Sequence, residues 1–120
     1  MLAVDDDPLV LAITSGMLED LGHTMIEAES GQEALDLLRG GRRVGLVVTD
    51  YAMPGMTGLQ LAEELHRHWP QLPIVLATGY AGLQGTAIDR LTRLAKPFGQ
   101  EALAEAIEEC LHSMAQRKRS

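Results

Sequence analysis

Five short apolar runs, separated by amphipathic stretches and most of them closed by a charged or hydroxyl residue, constrain this chain more than any other feature. Leu2-Ala3-Val4 runs into Asp5-Asp6-Asp7, and Thr24 to Ala28 forms the second run. Val44 to Thr49 delivers Asp50, Ile74 to Ala77 ends at Thr78-Gly79, and Leu94-Ala95 ends at Lys96-Pro97. Runs this short read as strands, and Val44 to Thr49 is apolar enough to be buried on both faces. Strands that alternate with helices close into a parallel sheet with helices on both sides.

The segments between the runs carry helix punctuation. Pro8 suits a first helical turn, Leu9, Ile13, Met17 and Leu21 recur at helical spacing, and Gly22 is placed to end that helix. Ser30 with Glu33 and Thr57 with Gln60 are capping-box signatures. The first opens a helix carrying Ala34, Leu37 and Leu38 that Gly40-Gly41 terminates; the second opens one with Leu61, Ala62 and Leu65 inward that closes before Pro70. The stretch 81–93 is weakly helical, interrupted by Gly82 and Gly85, and Leu103, Ile107, Cys110 or Leu111, and Met114 mark a final helix.

Composition narrows the function. One domain spanning residues 1–120 is expected, with a core of Leu, Val, Ile, Ala and Met, because 46% of residues are hydrophobic and only 3% aromatic. A net charge of −7 argues against gripping nucleic acid, and Arg117-Lys118-Arg119 reads as a solvated helix end or the start of a linker. The single Cys110 excludes an internal disulfide and reads as a buried structural thiol. No apolar stretch approaches a membrane span and the first residues do not resemble a signal peptide, so a soluble, cytoplasmic domain without membrane contact is expected. The sequence does not set an oligomeric state.

In open α/β sheets, ligands bind beyond the carboxyl ends of the strands. The expected fold is flavodoxin-like, a doubly wound (βα)5 unit with strand order 2-1-3-4-5 and a short or irregular fourth helix. In that order Asp5 and Asp6 end a strand beside the one that ends in Asp50. Carboxylates so close repel one another and call for a divalent cation, a lysine or both. Magnesium favours oxygen ligands, and Asp6, Asp50 and a loop carbonyl could supply three. An ionised aspartate can attack a phosphoryl group to give an acyl phosphate, whose oxygens Lys96 and the Thr78 hydroxyl are suited to contact.

With these residues in order and at near-family spacing, the chain resembles the receiver domains of two-component response regulators over essentially its full length. The resemblance is carried by Val4-Asp5-Asp6-Asp7-Pro8, by the stretch from Val48-Thr49-Asp50 through Tyr51-Ala52-Met53-Pro54-Gly55-Met56-Thr57-Gly58, by Ala77-Thr78-Gly79 and by Lys96-Pro97-Phe98. It implies that Asp50 accepts a phosphoryl group from a phosphohistidine of a sensor histidine kinase or histidine phosphotransfer domain. It implies that Asp5, Asp6 and Asp50, with the Ala52 main-chain carbonyl, hold Mg²⁺ or Mn²⁺, that Thr78 and Lys96 contact the phosphoryl group, and that the Lys96-Pro97 bond is cis. It further implies a signalling module that assists its own phosphorylation and dephosphorylation and changes shape, not a turnover enzyme. Either a stand-alone regulator or a receiver belonging to a longer chain fits; the second is expected, specifically the receiver of a hybrid sensor histidine kinase, because the Ala77-Thr78-Gly79-Tyr80-Ala81 turn with a shortened fourth helix resembles receivers attached to such kinases.

Three positions depart from the family pattern. Ala52 and Tyr80, which in the family line the path of the hydrolytic water, cannot orient water as an amide or carboxylate would, so slow to moderate self-dephosphorylation is expected. Arg93 stands three residues before the lysine, where the family usually carries a switching aromatic. Two other readings compete: a small haloacid-dehalogenase-like phosphatase using Asp5-x-Asp7, and a pseudo-receiver that binds partners without phosphorylation. Plainer roles are expected for Asp7 as a helix cap, for His23, His66, His68 and His112 as surface residues, and for Trp69 as packing at a helix end.

Overall fold

A computed structural model describes residues 1–79 and 91–118, with side chains as far as His112. The order of elements is β1 (Leu2–Val4), α1 (Pro8–Asp20), β2 (Ile26–Ala28), α2 (Gly31–Arg39), β3 (Val47–Asp50), α3 (Gly58–His68), β4 (Ile74–Thr78), β5 (Leu91–Ala95) and α4 (Gln100–Lys118). The strands form one parallel sheet in the order β2-β1-β3-β4-β5, as expected. The expected irregular helix after β4 falls on residues 80–90, outside the described residues, whereas Leu91 to Arg93 belong to β5 and are not helical. β5 lies at the sheet edge with Thr92 and Leu94 buried and Arg93 and Ala95 exposed, so it alternates and only its end, Leu94-Ala95, reads as an apolar run.

Each face of the sheet has its own core. Leu2, Val4, Val47 and Ile74 pack with Ala34, Leu35 and Leu38 of α2 and with Leu61, Ala62 and Leu65 of α3. Leu46, Val48, Val75 and Leu94 pack on the other face with Leu18 of α1 and with Leu103, Ala106, Ile107 and Cys110 of α4. Leu61 and Leu65 are wholly buried, and each such side chain contributes about 1.5–3 kcal/mol of hydrophobic stabilisation. Cys110 is 1% exposed and its Sγ donates to the Ile74 carbonyl at 3.6 Å, the structural role its position suggested.

The helix ends follow the punctuation. The Thr57 Oγ1 accepts the Gln60 N–H at 3.1 Å and the Gln60 Oε1 accepts the Thr57 N–H at 2.9 Å, a complete capping box. At α2 the Ser30 hydroxyl accepts the Glu33 N–H, but the Glu33 carboxylate reaches the Glu29 N–H, one residue further back. Gly22, at φ 96°, closes α1 with the His23 N–H on the Leu18 carbonyl and the Gly22 N–H on Glu19.

The face of α1 is a correction. Leu9 and Ile13 are 70% and 51% exposed, while Leu11, Thr14, Ser15 and Leu18 are buried. Two apolar series lie on this helix, and its rotation is fixed at its start: only Asp5 and Asp6 separate β1 from Asp7, which caps the helix directly. That rotation turns the series beginning at Leu11 onto the sheet.

Candidate functional site

The site is built on strand ends held by main-chain bonds. Val4 of β1 is in register with Thr49 of β3, so Asp5 and Asp50 leave the sheet as neighbours. The Asp5 N–H donates to the Ala28 carbonyl, the Tyr51 N–H to Ala77 and the Lys96 N–H to Thr78, at 3.1, 2.9 and 3.0 Å. These bonds carry the pairing past the last strand residues and leave little freedom in where the side chains start.

Asp5, Asp6 and Asp50 each place a carboxylate oxygen within 4.8 Å of the others, with Asp5 and Asp50 buried and Asp6 exposed. Burial pushes the Asp5 carboxyl above its ordinary range, and the negative charges of Asp50 and Asp6 add to the effect. The Asp7 N–H, donated to Asp5 Oδ1 at 2.9 Å, and the Lys96 charge act in the opposite sense. The Lys96 ammonium makes an ion pair with Asp50 Oδ1. Three oxygen donors without a histidine or thiol among them, two withdrawn from water and served by the single Lys96 charge, fit a hard divalent cation such as Mg²⁺ or Mn²⁺.

Asp7 takes no part in the cluster. Its Oδ1 accepts the Leu9 and Val10 N–H groups at 2.9 and 3.4 Å, which makes it the N-cap of α1. Thr78 is buried at the end of β4, between the strands that carry Asp50 and Lys96. Ala52 is exposed in the loop that leaves Asp50, and the Lys96-Pro97 bond is cis. Arg93 lies on the exposed side of β5, and Tyr80 is outside the described residues.

One positioning residue carries no role in the sequence reading. The Gly58 N–H donates to the Tyr51 carbonyl at 2.8 Å, closing the loop after Asp50. A β-carbon at Gly58 would collide with the Asp50 carbonyl oxygen and lie 2.8 Å from Leu76 Cδ1. The first turn of α3 is therefore pressed against the backbone of the central acid. The only signal for this in the sequence is a glycine directly after the Thr57 cap, where helix geometry alone asks for none.

The histidines do not join the site: the acidic group contains none, and His68 Nε2 lies 3.5 Å from Glu64 Oε2 on α3. Trp69 is partly buried against the core on the α2–α3 face.

Comparison with known proteins agrees with this geometry. The family model described as the response regulator receiver domain matches residues 1–108. The chain is 33% identical over 119 residues to the transcriptional regulatory protein GlrR of Escherichia coli, across 96% of the chain and 27% of that protein. It is 34% identical over 119 residues to a chemotaxis protein CheY homolog of Campylobacter jejuni, across 92% of the chain and 91% of that protein. Among solved structures, the response regulator receiver protein from Sinorhizobium medicae is similar with a TM-score of 0.84 and 28% identity, covering 94% of each chain.

Proposed function

The chain belongs to the response regulator receiver family of two-component signalling, and from that premise we propose that Asp50 is its phosphoacceptor. A carboxylate oxygen of Asp50 attacks the phosphorus of a phosphohistidine on a sensor kinase or histidine phosphotransfer domain. The new P–O bond forms as the P–N bond breaks, and the departing imidazole takes up a proton. The observation that carries this reading is the Lys96–Asp50 ion pair beside the Asp5 and Asp6 carboxylates.

Lys96 is placed to pass from the carboxylate to a phosphoryl oxygen, and the Thr78 hydroxyl, one strand away, to donate to another. Asp5, Asp6, Asp50 and the Ala52 carbonyl would hold Mg²⁺ or Mn²⁺, which supplies positive charge to the phosphoryl oxygens. Phosphorylation brings roughly −1.5 to −2 charges to an acidic site, and regulation follows as a shift between two shapes of the domain. With Ala52 unable to orient water, the acyl phosphate is expected to be lost slowly to moderately.

The donor needs a surface next to Asp50. Leu9 and Ile13 are exposed on the helix that follows the acid cluster. Ile13, Val10 and Met17 border an apolar groove with Pro97 and Phe98, and Lys96 in its lining joins the groove to the site. A helical face of the phosphohistidine protein fits there.

The phosphatase reading loses support from Asp7, whose carboxylate is engaged by the α1 backbone and not aimed at the cluster. Intact mass after incubation with acetyl phosphate and Mg²⁺ tests the proposal. Gain of one phosphoryl group by the native chain and none by Asp50→Ala is expected; no gain, or a gain that survives in Asp50→Ala, would overturn it.

A further inference from the structure

At the far end of β3 and β4 from the acids, the chain leading into each strand borders an open cleft of about 590 Å³. That volume lies within the roughly 300–1,000 Å³ of small-molecule sites. Its apolar lining comes from Leu38, Trp69 and Leu72, all packed on or within the core. Its polar lining is Arg42, Arg43, His68 and Gln71, all exposed.

The charges here run against the rest of the molecule. The chain carries −7 overall, yet two adjacent arginines line this cleft, and neither forms an ion pair among the described residues. Glu64, on the helix that leads to the cleft, is already engaged by Arg67 at 3.0 Å and His68 at 3.5 Å. Guanidinium groups recognise carboxylate and phosphate through paired N–H donors, and an indole offers a face to a flat ring.

We infer that this cleft binds a small anion that carries both a flat aromatic ring and a phosphate, as a nucleoside monophosphate does, with the phosphate on Arg42 and Arg43 and the ring against Trp69. The apolar lining alone would take a neutral ring and the arginines alone a bare anion, so the two together select a molecule carrying both. The site is distinct from the phosphoacceptor: Asp50 and Thr78 stand at the opposite ends of the strands that Val44-Gly45 and Leu72-Pro73 lead into.

Trp69 is the sole tryptophan of the chain, so its fluorescence reports on this cleft directly. Titration uses adenosine monophosphate as the probe, with Mg²⁺ omitted so that the acid cluster repels it. Saturable quenching is expected, with adenosine and inorganic phosphate each binding about tenfold or more weakly, as loss of charge-assisted hydrogen bonds or of stacking entails. Arg42→Ala with Arg43→Ala should weaken binding by about tenfold or more at an unchanged thermal midpoint. In the native chain, amide shifts should gather at residues 42–45 and 68–73, a readout that needs no variant. Absence of saturable quenching, equal binding of adenosine, equal binding of inorganic phosphate, or shifts gathered at the acid cluster would each overturn the inference.

Discussion

The ammonium of Lys96, at the end of β5, reaches across β4 to Oδ1 of Asp50, at the end of β3. Two strands that are not neighbours are thereby joined through side chains at the point where the phosphoryl group is proposed to arrive. Lys96 is one-third exposed while Asp50 is nearly covered, so solvent screens the pair and its larger role lies in chemistry, not in stability. Replacing Lys96 with Met should leave the protein folded and slow phosphoryl uptake from acetyl phosphate by about a hundredfold, the usual cost of losing one donor to developing charge. Intact-mass time courses measure it.

Asp5 links the proposed metal site to stability. Its carboxyl is pushed above the ordinary range chiefly by burial, so the folded state holds its proton more tightly than the unfolded chain does. The stability this contributes is fully present below the ordinary carboxylate pKa and is lost as pH rises through the raised folded value. At neutral pH without metal, ionised Asp5 is a cost to the fold. Asp5→Asn should therefore raise the thermal midpoint of the metal-free protein at pH 7 and weaken Mg²⁺ binding by about tenfold or more, as followed by thermal melts and titration calorimetry.

Gly58 tests the packing of α3 on the acid's own backbone. Because the atom a β-carbon there meets first is the main-chain carbonyl oxygen of Asp50, which cannot give way as the Leu76 side-chain tip can, Gly58→Ala should destabilise by about 2–3 kcal/mol and disturb phosphorylation as well. Urea unfolding gives the first quantity, and acetyl phosphate kinetics the second.

Ile13 separates docking from chemistry. Exposed on α1 and outside the acidic cluster, it can be made Asp with little effect on the fold. Ile13→Asp should slow transfer from a phosphorylated histidine protein by about tenfold or more while leaving phosphorylation by acetyl phosphate unchanged. Equal slowing with both donors would place Ile13 in the reaction and not in recognition.

Much of the site was legible because it sits where strands stop. Asp5, Asp50 and Lys96 each follow an apolar run, and parallel topology carries such residues to one edge whatever the loops do. Caps were equally legible, since Asp7, Ser30 and Thr57 act through bonds spanning two or three residues. What escaped depends on contacts distant in sequence. The apolar spacing of α1 admits two faces, and only the docked helix shows that Leu11 and Leu18 turn inward while Leu9 and Ile13 do not. The strand expected from Val44 begins at Val47. β5 hides its first three residues because one side of an edge strand faces solvent. The Gly58 collision requires knowing where the Asp50 carbonyl lies.

The sole thiol of the chain is shut between α4 and the sheet, 1% exposed, hydrogen-bonded to Ile74 and held above its ordinary pKa chiefly by burial. Toward a maleimide or an iodoacetamide at neutral pH, the folded domain thus behaves as if it had no cysteine. A cysteine introduced on the outer face of α1 would be the single reactive handle. A spin label or dye placed there could follow donor docking in real time without first removing Cys110 from the core.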